Sequence, residues 1–148
     1  MKRTYNASEI AKYIINYSIR KKHKDITNLK LQKVLYYVWI DYFKSTQQYL
    51  FTEPFYAWQL GPVLPDVYFE YCYYTANPIR EQPMSKELEA EMAVIIDGSL
   101  DELLNFSAYQ LVERVHREDG AWHKAYSSPN GIKSMIDYTD IINLEATV

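Results

Sequence analysis

The segment Asn28–Phe43, NLKLQKVLYYVWIDYF, decides the fold. At 100° per residue, Leu31, Val34, Leu35, Val38, Trp39 and Tyr42 share one face, while Leu29, Tyr36, Ile40 and Phe43 occupy another. The remaining stripe holds Lys30, Lys33, Asp41 and Lys44, with Tyr37 inside it. A helix apolar over most of its circumference is surrounded by other elements, so this segment is expected to be the central buried helix of the fold. Thr27 or Asn28 supplies its cap, and it is expected to end near Thr46-Gln47-Gln48.

Outward from this helix the chain reads as mainly α, a compact helical bundle forming one domain over residues 1–148. Only 4 Gly and 6 Pro leave few residues for the turns of a strand-rich fold. Upstream, Asn6-Ala7-Ser8-Glu9 opens a helix that places Ile10, Ile14 and Tyr17 on one face up to about Arg20. Downstream, Phe55-Tyr56-Ala57-Trp58-Gln59 is short and aromatic between Pro54 and Gly61, so a strand is expected near 55–59. Gly61-Pro62-Val63 is a corner, and Pro65 suits the first turn of a helix with Val67, Tyr68, Tyr71 and Tyr74 on one face. Asn77-Pro78 is expected to stop that helix, and residues 78–83 read as a linker. Ser85 is read as the cap of a helix through Leu88, Met92, Ile95, Ile96 and Leu103, with Gly98 as its weak point. Ser107 to Gln110 is a capping box for a further helix to about Arg117. Asp119-Gly120 turns the chain so that Trp122 folds back. A second short strand is expected at 132–136, and a final short helix at 137–145.

Hydrophobic content of 48% beside 24% charged residues suits a soluble globular protein. The N-terminus lacks a signal-peptide core, and no apolar run is long enough to span a bilayer, so a cytoplasmic location without membrane association is expected. The single cysteine, Cys72, excludes an internal disulfide framework. Cys72 and His116 could be read as nucleophile and base, but no third group orients them, and a Cys in a Tyr-rich helical face reads as packing. His116, His123 and Cys72 lack metal-ligand spacing, and the glycines form no phosphate loop. The expectation is no catalytic residue, no metal site and no cofactor.

Charge is lopsided. Residues 1–33 carry nine Lys or Arg against two Asp or Glu, whereas residues 34–148 carry seven against seventeen. The run Arg20, Lys21, Lys22, His23, Lys24 follows a helix, whose C-terminal end attracts cations, and the whole chain is acidic at −3. Both facts argue against nucleic acid as the partner, although a DNA-binding regulator using this segment is the alternative it leaves open. The 15 Tyr offer contact area at low entropic cost, but tyrosines more often line a core edge with their hydroxyls in water.

Two blocks, Lys30-Leu31-Gln32-Lys33-Val34-Leu35-Tyr36-Tyr37 and Ala57-Trp58-Gln59-Leu60-Gly61-Pro62-Val63-Leu64-Pro65-Asp66-Val67-Tyr68, together resemble the Panacea antitoxin domain family, also described as SocA-like or phage-associated GepA-like. Ile26-Thr27-Asn28-Leu29 before them, and Ser107 to Leu111 with Val115 to Trp122 after them, extend the resemblance over residues 6–125. Leu60 stands where the family usually has an aromatic, Val115 where it has Thr, and Ala121 where it has Pro. The resemblance implies a cytoplasmic antitoxin that neutralises a cognate protein toxin by direct binding, or an adaptor that delivers the toxin to a protease. It implies no reaction. Within this frame the expected partner-binding residues are Lys30, Lys33, Tyr37, Trp58, Gly61, Pro62, Val63, His116 and Trp122. Lys30, Lys33 and Tyr37 enter as the polar stripe, Trp58 to Val63 as a rigid corner, and His116 with Trp122 as a family-like pair serving structure or binding equally well. Aromatics beside long cations are the residue types that dominate interface energies.

Overall fold

The computed structural model describes residues 4–129 and 133–147. Among them are seven α-helices and one small antiparallel sheet. Helix α1, Ala7–Asn16, opens with a capping box: the Asn6 side chain accepts from the Glu9 N–H, and the Asn6 N–H donates to the Glu9 carboxylate. Ile10, Ala11, Ile14 and Ile15 face the core. A π-helical stretch, Tyr17–Lys21, then widens the last turns.

Helix α2, Asn28–Thr46, is the axis of the molecule. Every residue from Leu31 to Ile40 is buried, which is more than one full circumference. Thr27, rather than Asn28, is its cap, accepting from the Lys30 N–H at 3.2 Å. Gln47 ends it in the left-handed conformation, at φ 59°. Helices α1, α3 (Pro65–Tyr71), α4 (Ala90–Leu103), α5 (Ala108–Val115) and α7 (Tyr138–Glu145) all pack against it. The burial corrects one expectation. Lys33 and Tyr37, assigned by periodicity to a solvated stripe, are 0% and 6% exposed, because α5 and the sheet cover that side as well.

The sheet has the order β2-β1-β3, with β1 at Phe55–Trp58, β2 at Gly61–Val63 and β3 at Ser134–Ile136. Tyr56 pairs with Val63 and Trp58 with Gly61, while Phe55 pairs with Ile136. Pro62 is tolerated because β2 is an edge strand. Phe55 and Ala57 point into the core, and Tyr56 and Trp58 alternate outward. The strand expected at 132–136 is thus present from Ser134; Ile132 lies outside the described residues.

Several boundaries differ from the sequence reading. Helix α3 stops at Tyr71, and the chain continues as a 3₁₀ turn, Cys72–Tyr74, ended by Thr75 at φ 53°. Ser85 caps nothing; α4 begins only at Ala90, although Leu88 is buried ahead of it. Gly98 does not break α4, which runs through it; the position is exposed, with open space where a Cβ would stand. The stretch read as a linker is tied down at Ile79, which is buried and donates its N–H to the Ile26 carbonyl at 2.9 Å. Ser107 and Gln110 form the expected capping box. Gly120 opens a short helix α6, Ala121–Tyr126, where the sequence suggested only a turn.

The first and fourth helices explain the charge asymmetry. Tyr13 and Tyr17 donate their hydroxyls to Asp97 and Asp101 on α4, at 2.5 and 2.6 Å. Lys22 pairs with Asp101 at 2.7 Å, and Lys24 donates to Asn105 at 2.6 Å. Lys30 donates to the Leu104 carbonyl at the C-terminal end of α4, where a cation is favoured. The basic segment is therefore engaged with the acidic half of the chain. The hydroxyls of Tyr13, Tyr17 and Tyr36 are not simply in water: each meets a carboxylate, that of Tyr36 being Glu145 on α7.

Candidate functional site

The hairpin β1–β2 lies across α2, and its corner sits directly over a buried cation. Lys33 extends beneath Gly61 and donates its ammonium to the Pro62 carbonyl at 2.9 Å. Gly61 has φ 119°, a conformation that L side chains avoid. A Cβ there would also stand 2.8 Å from Val115 Cγ2 and 2.9 Å from Lys33 Cε. Glycine is thus required twice at this position, by dihedral and by space. Burial alone pushes the Lys33 amine down to about pKa 7, with no carboxylate offsetting it.

His116, Trp122 and Trp58 complete the same knot. The His116 and Trp122 rings stack at 4.1 Å, and Tyr126 stacks on Trp122 at 4.7 Å. The Trp122 indole N–H donates to the Trp58 carbonyl at 2.7 Å, which fastens α6 to β1. Burial, followed by the nearby Lys33 charge, lowers the His116 pKa, while a hydrogen bond to the Gln59 backbone opposes that shift. His116 Nε2 is buried without a hydrogen-bond partner among the described residues. Tyr37 lies elsewhere, beneath the Arg114 guanidinium at 4.4 Å from its ring centre.

Two side chains that were not among the expected site residues hold the site together. Gln32 and Asn28 stand one turn apart on α2, and the Gln32 amide donates to Asn28 Oδ1 at 3.0 Å. Gln32 Oε1 accepts the Leu64 N–H at 3.0 Å, and the Asn28 amide donates to the Tyr68 carbonyl at 2.9 Å. These bonds dock the start of α3 on α2. The signal was available as two amides four residues apart on a helix apolar over most of its circumference, a pattern that fits buried backbone anchoring.

Of the nine expected residues, the structure brings six into one knot with Val63 beside it: Lys33, Trp58, Gly61, Pro62, His116 and Trp122. Lys30 and Tyr37 face other neighbours. Lys33, Gly61, Pro62, Val63 and Trp122 are all buried, as is Tyr37. Accessible surface next to the frame comes from Trp58, Tyr68, Leu60 and Phe69. Leu60 is 50% exposed and Phe69 62%, while Trp58 and Tyr68 pack edge to face at 5.0 Å. Between Trp58, Leu60, Tyr68 and α2 lies a cavity of about 560 Å³.

Cys72 is exposed, not packed inside as its Tyr-rich surroundings suggested, and its thiol donates to the Phe69 carbonyl. Among the described residues no cluster of His, Cys, Asp or Glu has the arrangement to hold a metal ion. Among the same residues no helix is long and apolar enough to cross a membrane.

No curated protein and no solved structure matches the chain. A family model does match, described as antitoxin SocA-like, Panacea domain, over residues 31–123. That span runs from the first buried turn of α2 through the corner at Gly61 to the His116–Trp122 stack, and so contains the whole knot. The chain belongs to the SocA-like, Panacea-domain antitoxin family.

Proposed function

We propose that this protein is the antitoxin of a toxin–antitoxin pair and acts by binding its cognate protein toxin directly. The observation that carries the reading is that the family match spans the Lys33–Gly61–His116–Trp122 frame, and that this frame presents an apolar face beside it. Leu60, Phe69, Trp58 and Tyr68 on that face are large, rigid side chains next to a concavity, the arrangement that anchors partners. Two of them stand on a hairpin and two on α3, elements held to α2 by buried hydrogen bonds, so the surface is presented with little ordering cost on binding.

DNA binding through the basic segment is less well supported, because Lys22, Lys24 and Arg20 already bond Asp101, Asn105 and Gln82. The test is co-expression with the product of the neighbouring reading frame. Growth arrest by that product alone, rescue by this protein and a stoichiometric complex on size exclusion are expected. Rescue with no complex, or no rescue, refutes direct neutralisation of that partner. Rescue accompanied by accelerated loss of the partner in a pulse-chase assigns the protein to protease delivery.

A further inference from the structure

A small cavity of about 120 Å³ opens where α2, α5 and α7 meet, lined by Tyr37, Asp41, Lys44, Arg114, Arg117 and Glu145. Donors in this lining stand idle. Tyr37 is almost wholly buried, and its hydroxyl has no hydrogen-bond partner among the described residues. Burial, then the Glu145 charge, pushes that hydroxyl's pKa up, while Arg114 and Arg117 oppose the shift, so it stays a protonated donor within the field of both guanidinium groups. The Arg114 guanidinium lies over the Tyr37 ring at 4.4 Å from its centre, a contact that commits none of its five N–H donors to an oxygen. Among the described residues neither Arg114 nor Lys44 has an ion-pair partner. The acceptors are largely spent. Glu145 gives one oxygen to Arg117 at 2.6 Å and the other to the Tyr36 hydroxyl at 2.7 Å, and Asp41 accepts from the Ser99 hydroxyl at 2.6 Å.

We infer that this cavity receives one side-chain carboxylate, from an Asp or Glu of the protein partner, held by Arg114, Lys44 and the Tyr37 hydroxyl. The inference rests on the antitoxin reading for the source of the carboxylate. Charge and size select the occupant. Three cations against two carboxylates leave the lining with one positive charge, which a single carboxylate balances. A phosphoryl group would bring nearly two negative charges beside Asp41 and Glu145, where the surplus is one. A nucleic-acid strand fits poorly, since it needs a row of cations and here the cations alternate with carboxylates in a chain of net charge −3. An apolar side chain would cover the Tyr37 hydroxyl and leave it without an acceptor. A carboxylate supplies that acceptor and meets the idle N–H groups of Arg114 in the charge-assisted geometry that arginine favours.

The test follows the Tyr37 ring and the Arg114 Nε–H by NMR in the full chain at one low ionic strength. The probes are the capped tripeptide Ala-Glu-Ala, its Ala-Gln-Ala counterpart, propionate and inorganic phosphate. The Glu peptide is expected to bind at least about tenfold more tightly than the Gln peptide, a difference typical of a charge-assisted bond. Added salt should shrink that preference. Arg114→Gln should abolish it, and the residue is exposed with no ion pair to lose, so the variant is expected to fold. Equal binding of the two peptides, or binding of neither, overturns the assignment, and that comparison needs only the wild-type chain. Phosphate binding more tightly than the Glu peptide would mark a phosphoryl site, and propionate binding without the Glu peptide a site for small free acids; either result overturns it. No probe contains a toxin, so failure here leaves the antitoxin reading standing. Failure of rescue by co-expression, conversely, leaves a positive probe result intact.

Discussion

Gly61 and Lys33 are locked together: the glycine's missing side chain is the space that the lysine stem fills on its way to the Pro62 carbonyl. Gly61→Ala should therefore destabilise the protein by about 2–4 kcal/mol, combining a strained dihedral with overpacking. Urea denaturation measures it. A loss below about 1 kcal/mol would show that the corner relaxes freely and is not a fixed element of the fold.

The pH dependence follows from the neutral forms favoured by burial. Lys33 has its folded pKa lowered from 10.5 to about 7, and His116 is lowered from 6.5. In each case the unfolded chain binds more protons, so stability rises with pH across the interval between folded and unfolded values. For Lys33 that interval runs upward from about pH 7. Above pH 10 the sign reverses, because Tyr37 and Tyr138 have folded pKa values raised by burial and ionise more readily once unfolded. Stability by chemical denaturation should thus increase from about pH 7 to about pH 9.5, and Lys33→Met should flatten that rise. A flat wild-type profile would mean that Lys33 keeps its charge in the folded state.

Leu35 is fully buried in the middle of α2. Leu35→Ala should cost about 2–5 kcal/mol, as truncations in packed cores do. Thermal and urea midpoints should fall together. An effect under about 1 kcal/mol would contradict the burial of that helix on all sides.

The exposed apolar face gives the sharpest functional test. Leu60→Ser and Phe69→Ser should leave stability within about 0.5 kcal/mol, since both side chains are mostly in solvent. Each should weaken partner binding by about 2 kcal/mol if it is an anchor. Urea denaturation reads the first effect, and growth rescue with calorimetry on the neighbouring gene product reads the second. Full rescue at unchanged affinity would move the binding surface away from the hairpin and α3.

The basic segment should be dispensable for neutralisation. Replacing Arg20, Lys21, Lys22 and Lys24 with Gln removes the Lys22–Asp101 pair, which is partly exposed and screened by solvent. Rescue is expected to persist. Its loss in a variant that still melts cooperatively would return the segment to the functional surface.

Helical character, the capping boxes at Asn6 and Ser107, the corner at Gly61 and the short strand before it were all legible in sequence, because each depends on residues within four or five positions of one another. Periodicity also identified α2 as the central helix. It failed at Lys33 and Tyr37, since a helical wheel ranks faces by polarity and assumes that the most polar one meets water. Here α5, the hairpin and Arg114 occupy that side, and a backbone carbonyl and a cation–ring contact replace the solvent.

Local sequence by itself determined most of the segments that coil, the starts of α1, α3 and α5, and which residue types gather at the corner, because caps, proline and glycine act through short-range geometry. Only the tertiary structure decided that Lys33 is interior, that Asn28 and Gln32 anchor α3, and that Trp58, Leu60, Tyr68 and Phe69 share one face. Those outcomes depend on contacts between segments far apart in the chain. Whether a polar side chain ends in water or on a buried carbonyl is settled by what packs over it, and no pattern within a single helix records that neighbour.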